Sequence, residues 1–168
     1  MNNPDNKIDL LESEICKTLQ VLNKMELFYK NNHSILDEKN DIRNLITLSE
    51  IFINYYTCLE TIFLRISTFF ENNLPADKWH SELLNRMILE VKPLRTKVIA
   101  DETFAILDEF RRFQHFKRYY FDFSYDAERL DYLRNKFERL PPLIHKDLKS
   151  FLKFLENLKN TKPEDADK

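Results

Sequence analysis

Hydrophobic residues recur along the chain at intervals of three and four, the spacing of one helical face. Ile8, Leu11, Ile15, Leu19, Leu22 and Met25 form the first such stripe. Residues 31–40 are polar and read as a loop. From residue 42 a longer stripe runs through Ile42, Leu45, Phe52, Tyr55, Leu59, Ile62, Ile66 and Phe69, with Asp41 placed to cap it. Pro75 ends that pattern, and Trp79, Leu83 and Met87 mark a short helix that must stop near Pro93. Asp101 is placed to cap a fourth long segment through Phe104, Leu107 and Phe110. Asp126 is placed to cap a short one with Leu130, Leu133 and Phe137. Pro141 and Pro142 predict a break, after which Leu143, Leu148, Phe151, Leu155 and Leu158 form a last helix. The tail, residues 161–168, is polar and predicts fraying. The pattern predicts an all-α fold: one domain over residues 1–160, a helical bundle of four main helices plus one or two short ones.

Composition sharpens this reading through glycine, which is absent from all 168 residues. Ordinary usage would supply about twelve. Tight β-hairpins lose their preferred residues, and the glycine-dependent phosphate loops of nucleotide-binding folds are excluded. Two cysteines, Cys16 and Cys58, make no framework, so reduced thiols in a cytoplasmic protein are expected. The first residues lack a basic stretch followed by an apolar one, so no signal peptide is expected, and no run is apolar enough to span a bilayer. No pair of His or Cys residues has metal-ligand spacing, and neither a metal nor another cofactor is expected.

Charge is uneven. Residues 1–110 carry 12 Lys and Arg against 18 Asp and Glu, a net of −6, whereas residues 111–168 carry 14 against 10, a net of +4. The stretch FRRFQHFKRYYF, residues 110–121, leads the basic half. On a helical wheel Phe110, Phe113, Phe116, Tyr120 and Phe121 share a broad arc suited to a core. Arg111, His115 and Arg118 fall together on the opposite side, with Tyr119 beside them. Two guanidiniums flanking an imidazole suit a phosphodiester: the arginines hold nonbridging oxygens and the histidine moves a proton near neutral pH. The same pattern also fits a solvated basic face. On either reading, Arg111, Arg112, Lys117 and Arg118 lie within two turns. Their mutual repulsion would be relieved by a bound polyanion such as RNA.

Three segments carry a resemblance to a known family. FINYYTCLETIFLRIS carries Tyr56, Glu60, Ile62, Phe63, Arg65 and Ile66; LPADKWHSELLNRM carries Pro75, Trp79, His80, Leu83, Leu84 and Met87. LDEFRRFQHFKRYYFDFSYDAERL carries Phe113, His115, Arg118, Phe123 and Asp126. Over roughly residues 40–158 the chain resembles the HepT-like branch of the HEPN superfamily. These are small all-α toxins encoded beside a minimal nucleotidyltransferase antitoxin. The resemblance implies a metal-independent ribonuclease acting as a homodimer, with RNA and the antitoxin as partners and no membrane. It also implies a catalytic pattern of Arg, four residues, His, one residue, Tyr. The Arg would stabilise phosphate, the His would handle the 2′-hydroxyl proton, and the Tyr would be AMPylated by the antitoxin.

At those positions this chain has Gln114, Tyr119 and Phe121. Gln114 carries no charge, Tyr119 is a poor base at neutral pH, and Phe121 has no hydroxyl to modify. Two expectations follow. Either the catalytic motif is degenerate, or the chemistry has moved to Arg111 or Arg112, His115 and Arg118, with Tyr119 or Tyr120 as a substitute AMPylation acceptor. A non-catalytic module that binds RNA or a nucleotidyltransferase is the alternative function. Elsewhere, His80 reads as a packing residue, His33 as a loop residue and His145 as opening the last helix. Glu60 and Arg65 read as a partly buried ion pair.

Overall fold

The computed structural model describes residues 4–38, 41–71, 79–119 and 125–160, with the side chains of residues 4, 5, 118 and 119 left aside. Among these residues six helices follow one another: α1 (Pro4–Asn31), α2 (His33–Leu36), α3 (Ile42–Phe70), α4 (Trp79–Met87), α5 (Asp101–Tyr119) and α6 (Ala127–Asn160). The fold is an all-α helical bundle with no strand among the described residues. Helix α3 lies at its centre and packs against all five others.

The sequence signals for α3 are direct. Asp41 accepts the Arg43 backbone N–H at 2.9 Å, capping the first turn. Leu48, Phe52, Tyr55, Leu59, Ile62 and Ile66 then bury one face. Four rings from three helices, α1, α3 and α5, meet on Phe137 of α6: Tyr29 at 5.0 Å, Phe52 at 5.2 Å, Tyr55 at 5.0 Å and Phe110 at 6.2 Å. A polar tie runs beside them. Tyr55 donates its hydroxyl to Glu26 Oε1 of α1 at 2.6 Å, and His145 Nε2 of α6 lies 2.9 Å from the same oxygen. Burial and that carboxylate push the Tyr55 phenol well above its ordinary range, so it remains a donor at physiological pH.

The expected break at Pro141 and Pro142 does not occur: both lie inside α6, which runs unbroken for 34 residues. The prolines remove the N–H donors that would reach the carbonyls of residues 137 and 138, at a cost of about 3 kcal/mol each. The apolar register nevertheless passes through them, from Leu133, Phe137 and Leu140 to Ile144, Leu148, Phe151 and Leu155, all buried. Four buried aliphatic and aromatic side chains beyond the prolines contribute roughly 6–12 kcal/mol, which offsets the defect. His145 therefore sits in mid-helix rather than at a helix start.

Three other expectations are corrected. Residues 33–36 form the short helix α2 inside the predicted loop. Buried Leu36 anchors it, and His33 Nε2 meets Glu138 Oε1 of α6 at 3.2 Å. Asp101 is the first residue of α5 and not its cap. Asp147 of α6 does that work from a distance, accepting the Ala100 N–H at 3.0 Å and the Thr103 hydroxyl at 2.5 Å. Glu60 and Arg65 do not pair, because five residues on a helix put them about 140° apart. Glu60 meets His80 Nδ1 at 2.5 Å, and Arg65 reaches across to Glu14. His80 also stacks on Trp79, with ring centroids 3.7 Å apart, so it is both a packing residue and a polar partner of Glu60.

Candidate functional site

Helix α5 presents the candidate stretch, and its placement follows from its own periodicity. Phe110 and Phe113 are buried against α3 and α6, and Phe116 is half-buried. With that face inward, Arg112 and His115 are exposed and Arg111 is half-buried. Arg111 and His115 thus stand one turn apart, as the wheel predicts. The Arg118 and Tyr119 side chains, and residues Tyr120, Phe121 and Phe123, lie outside what the structure describes.

The cations of this stretch are largely answered from within the chain. Arg111 Nε donates to Asp108 Oδ1 at 2.8 Å, and Arg112 Nη2 lies 2.7 Å from Asp108 Oδ2. One carboxylate therefore serves two guanidiniums, at the i,i+3 and i,i+4 spacings that face each other on a helix. Lys117 Nζ sits 3.9 Å above the Tyr125 ring. Arg129, at the start of α6, lies 4.7 Å over Phe116 and 5.8 Å over Phe113. These cation–π contacts line a cavity of about 210 Å³ between α5 and α6. Asp126 at its edge caps α6, accepting the N–H groups of Glu128 at 3.0 Å and Arg129 at 3.1 Å. Sequence reading missed the anion: Asp108 supplies a packing reason for two of the clustered cations, and its spacing to Arg111 and Arg112 was the available signal.

Gln114 is the most informative residue. It is only 5% exposed, and its Nε2 donates to Thr57 Oγ1 of α3 at 2.7 Å. A neutral amide here serves as an interhelical tie, and it offers no charge to a phosphate. An unpaired guanidinium in the same buried place would carry a heavy desolvation cost unless an anion met it.

Among the described residues no group of His, Cys, Asp and Glu is arranged to hold a metal ion, and no helix is long and apolar enough to cross a membrane. Cys16 is exposed and Cys58 half-buried, both as free thiols, and burial raises the Cys58 thiol above its ordinary range. The single chain hides Phe52, Tyr55, Tyr56, Phe63, Phe110 and Phe113, leaving Phe69 as the exposed ring of α3.

In comparison with known families, the profile described as "HepT-like protein" aligns with residues 47–155, from early α3 to late α6. No curated protein and no solved structure matches the chain.

Proposed function

This chain belongs to the HepT-like protein family, and from that premise we propose that it is the toxin-type member of a toxin–antitoxin pair whose ribonuclease motif is degenerate. It keeps the HEPN helical scaffold without the Arg-x4-His-x-Tyr chemistry. The observation that carries this reading is Gln114, buried and donating to Thr57 where the family pattern has its phosphate-stabilising arginine. The two other substituted positions agree chemically. A tyrosine at 119 holds its proton at neutral pH, and a phenylalanine at 121 has no oxygen for an AMP group.

The family pattern places two such motifs across a homodimer cleft, with a minimal nucleotidyltransferase as partner. The dimer rests on that family reading. Light scattering at micromolar concentration is expected to give twice the chain mass of 20.4 kDa, and a single-chain mass would remove the dimer from the proposal.

A second reading has its own observation. His115 is exposed, Arg111 stands a turn before it, and Arg112 is 62% exposed despite its contact with Asp108. That arrangement leaves a relocated proton-transfer site at Arg111, Arg112, His115 and Arg118 chemically open. Metal-free cleavage of single-stranded RNA separates the two. On the degenerate reading the wild type yields no product above a mock preparation. Cleavage that survives EDTA and disappears in His115→Ala would establish the relocated site instead. The alternative of a non-catalytic RNA- or nucleotidyltransferase-binding module shares the absence of product and differs in what is bound.

A further inference from the structure

Helix α6 carries eight Lys and Arg against five Asp and Glu, in a chain whose net charge is −2. Their placement around the helix is more telling than their number. At 100° per residue, Lys136, Arg139, Lys146, Lys149 and Lys153 fall within an arc of about 140°, opposite the buried stripe of Leu133, Phe137, Ile144, Leu148 and Phe151. From Lys136 to Lys153 the row is about 26 Å long at 1.5 Å per residue. Lys146, Lys149 and Lys153 are exposed and pair with no carboxylate among the described residues. Arg139 meets Glu102 of α5 at 2.9 Å, with both side chains more than half exposed.

Of the five acids of α6, Asp147 and Glu138 stand to either side of this row, Glu128 and Asp131 precede it and Glu156 follows it. Asp147 faces α5 and is occupied with Ala100 and Thr103. Glu138 faces α1 and is occupied with Tyr29 and His33. The contrast with α5 is direct: there Asp108 and Tyr125 meet the cations, and on α6 no carboxylate among the described residues pairs with the three lysines.

We propose that this face of α6 is a track for the phosphate backbone of single-stranded RNA, separate from the α5 stretch. The inference rests on the reading of the chain as an RNA-handling HEPN protein. Like charges held in a row repel one another, and an external polyanion relieves that cost. Nucleic acid fits better than an acidic protein for a compositional reason. Protein interfaces disfavour lysine and need apolar or aromatic anchors at their centre, whereas lysine contacts to phosphate dominate nucleic-acid binding. The arc has no exposed aliphatic anchor. Its one exposed large side chain is Tyr132, 46% exposed at one end of the row, with Lys136 Nζ 5.4 Å above its ring. A ring there is a stacking platform for a base at the end of the track.

The test is fluorescence anisotropy with a labelled single-stranded RNA about 20 nucleotides long, spanning the row several times over. Three lysine contacts contribute about 2 to the slope of log affinity against log salt, at roughly 0.7 per contact. Lys146→Glu/Lys149→Glu/Lys153→Glu is expected to weaken binding at least tenfold near 50 mM salt and to flatten the slope by about that amount. The milder triple Gln variant should fall between it and the wild type. The triple Lys7→Glu/Lys17→Glu/Lys24→Glu on α1 makes the same change in net charge and should stay within about threefold of the wild type. All three positions of each set are exposed, so circular dichroism and the melting curve should not change.

Equal loss in the α1 variant would overturn the track, since net charge alone would then explain the binding. RNA binding untouched by the α6 variant would overturn it too, leaving the functional reading intact. No wild-type binding at low salt would remove both the track and an RNA-handling role. Polyglutamate bound as tightly as RNA would overturn the nucleic-acid assignment in favour of an acidic protein. Gel analysis of the same samples records cleavage independently, so the degenerate-motif reading stands or falls separately.

Discussion

Replacing Arg95 or Glu71 by alanine is expected to destabilise the protein by about 3–5 kcal/mol, the cost of leaving one member of a buried ion pair alone. The Arg95 side chain is 0% exposed. Its Nε donates to Glu71 Oε1 at 2.6 Å, Nη1 to the Leu89 carbonyl at 2.9 Å and Nη2 to the Arg86 carbonyl at 3.0 Å. Glu71, at the C-terminal end of α3, also accepts from Arg86 Nη1 of α4 at 3.2 Å. The guanidinium thus fixes the connector between α4 and α5, where Val98 and Ile99 donate back to the Met87 carbonyl at 2.8 and 3.2 Å. The start of α5, and hence the direction of the candidate stretch, depends on that anchor. The exposed pair Arg139–Glu102 is the contrast: Arg139→Ala should cost less than about 1 kcal/mol. Urea melts compare the two directly. An Arg95→Ala loss no larger than that of Arg139→Ala would mean that the buried network does not hold the connector.

Phe137→Ala should cost a similar 3–5 kcal/mol, through lost transfer energy and the cavity left behind. For a chain of this size that corresponds to a fall in melting temperature of roughly 6–20 °C. The ring sits where Tyr29, Phe52, Tyr55 and Phe110 converge, so its removal loosens α1, α3 and α5 at once. Edge-to-face pairs such as those of Phe137 with Tyr29, Tyr55 and Phe110 add about 0.5–1.5 kcal/mol beyond their buried area. Thermal denaturation by circular dichroism gives the answer. A shift of only a degree or two would show that the aromatic cluster does not organise the bundle.

Much of this architecture was legible in the sequence, because helical periodicity and caps are local signals. The α3 stripe with Asp41 and the Asp126 cap of α6 are examples. What was misread depended on distant partners. The proline pair predicts a break by local rules, and only the burial of Ile144, Leu148, Phe151 and Leu155 against other helices carries α6 through. Asp101 is a good local cap, and Asp147, 46 residues later in the chain, displaces it only because the bundle brings it there. At the candidate site the departures at Gln114, Tyr119 and Phe121 could be read from the resemblance. The tie from Gln114 to Thr57 could not, since it spans 57 residues. The lysine row could be recognised only after α6 proved continuous, since a break at Pro141 would have split Lys136 and Arg139 from Lys146, Lys149 and Lys153.

The central claim is that a HEPN scaffold persists here without its ribonuclease chemistry. Single-turnover incubation tests it most directly, with homogeneous protein in excess over end-labelled single-stranded RNA in EDTA. The account predicts RNA that stays full length over hours, with wild type and His115→Ala indistinguishable from buffer. Fragments formed by the wild type, lost in His115→Ala and retained in Tyr119→Phe, would contradict it and place an active site on the exposed face of α5.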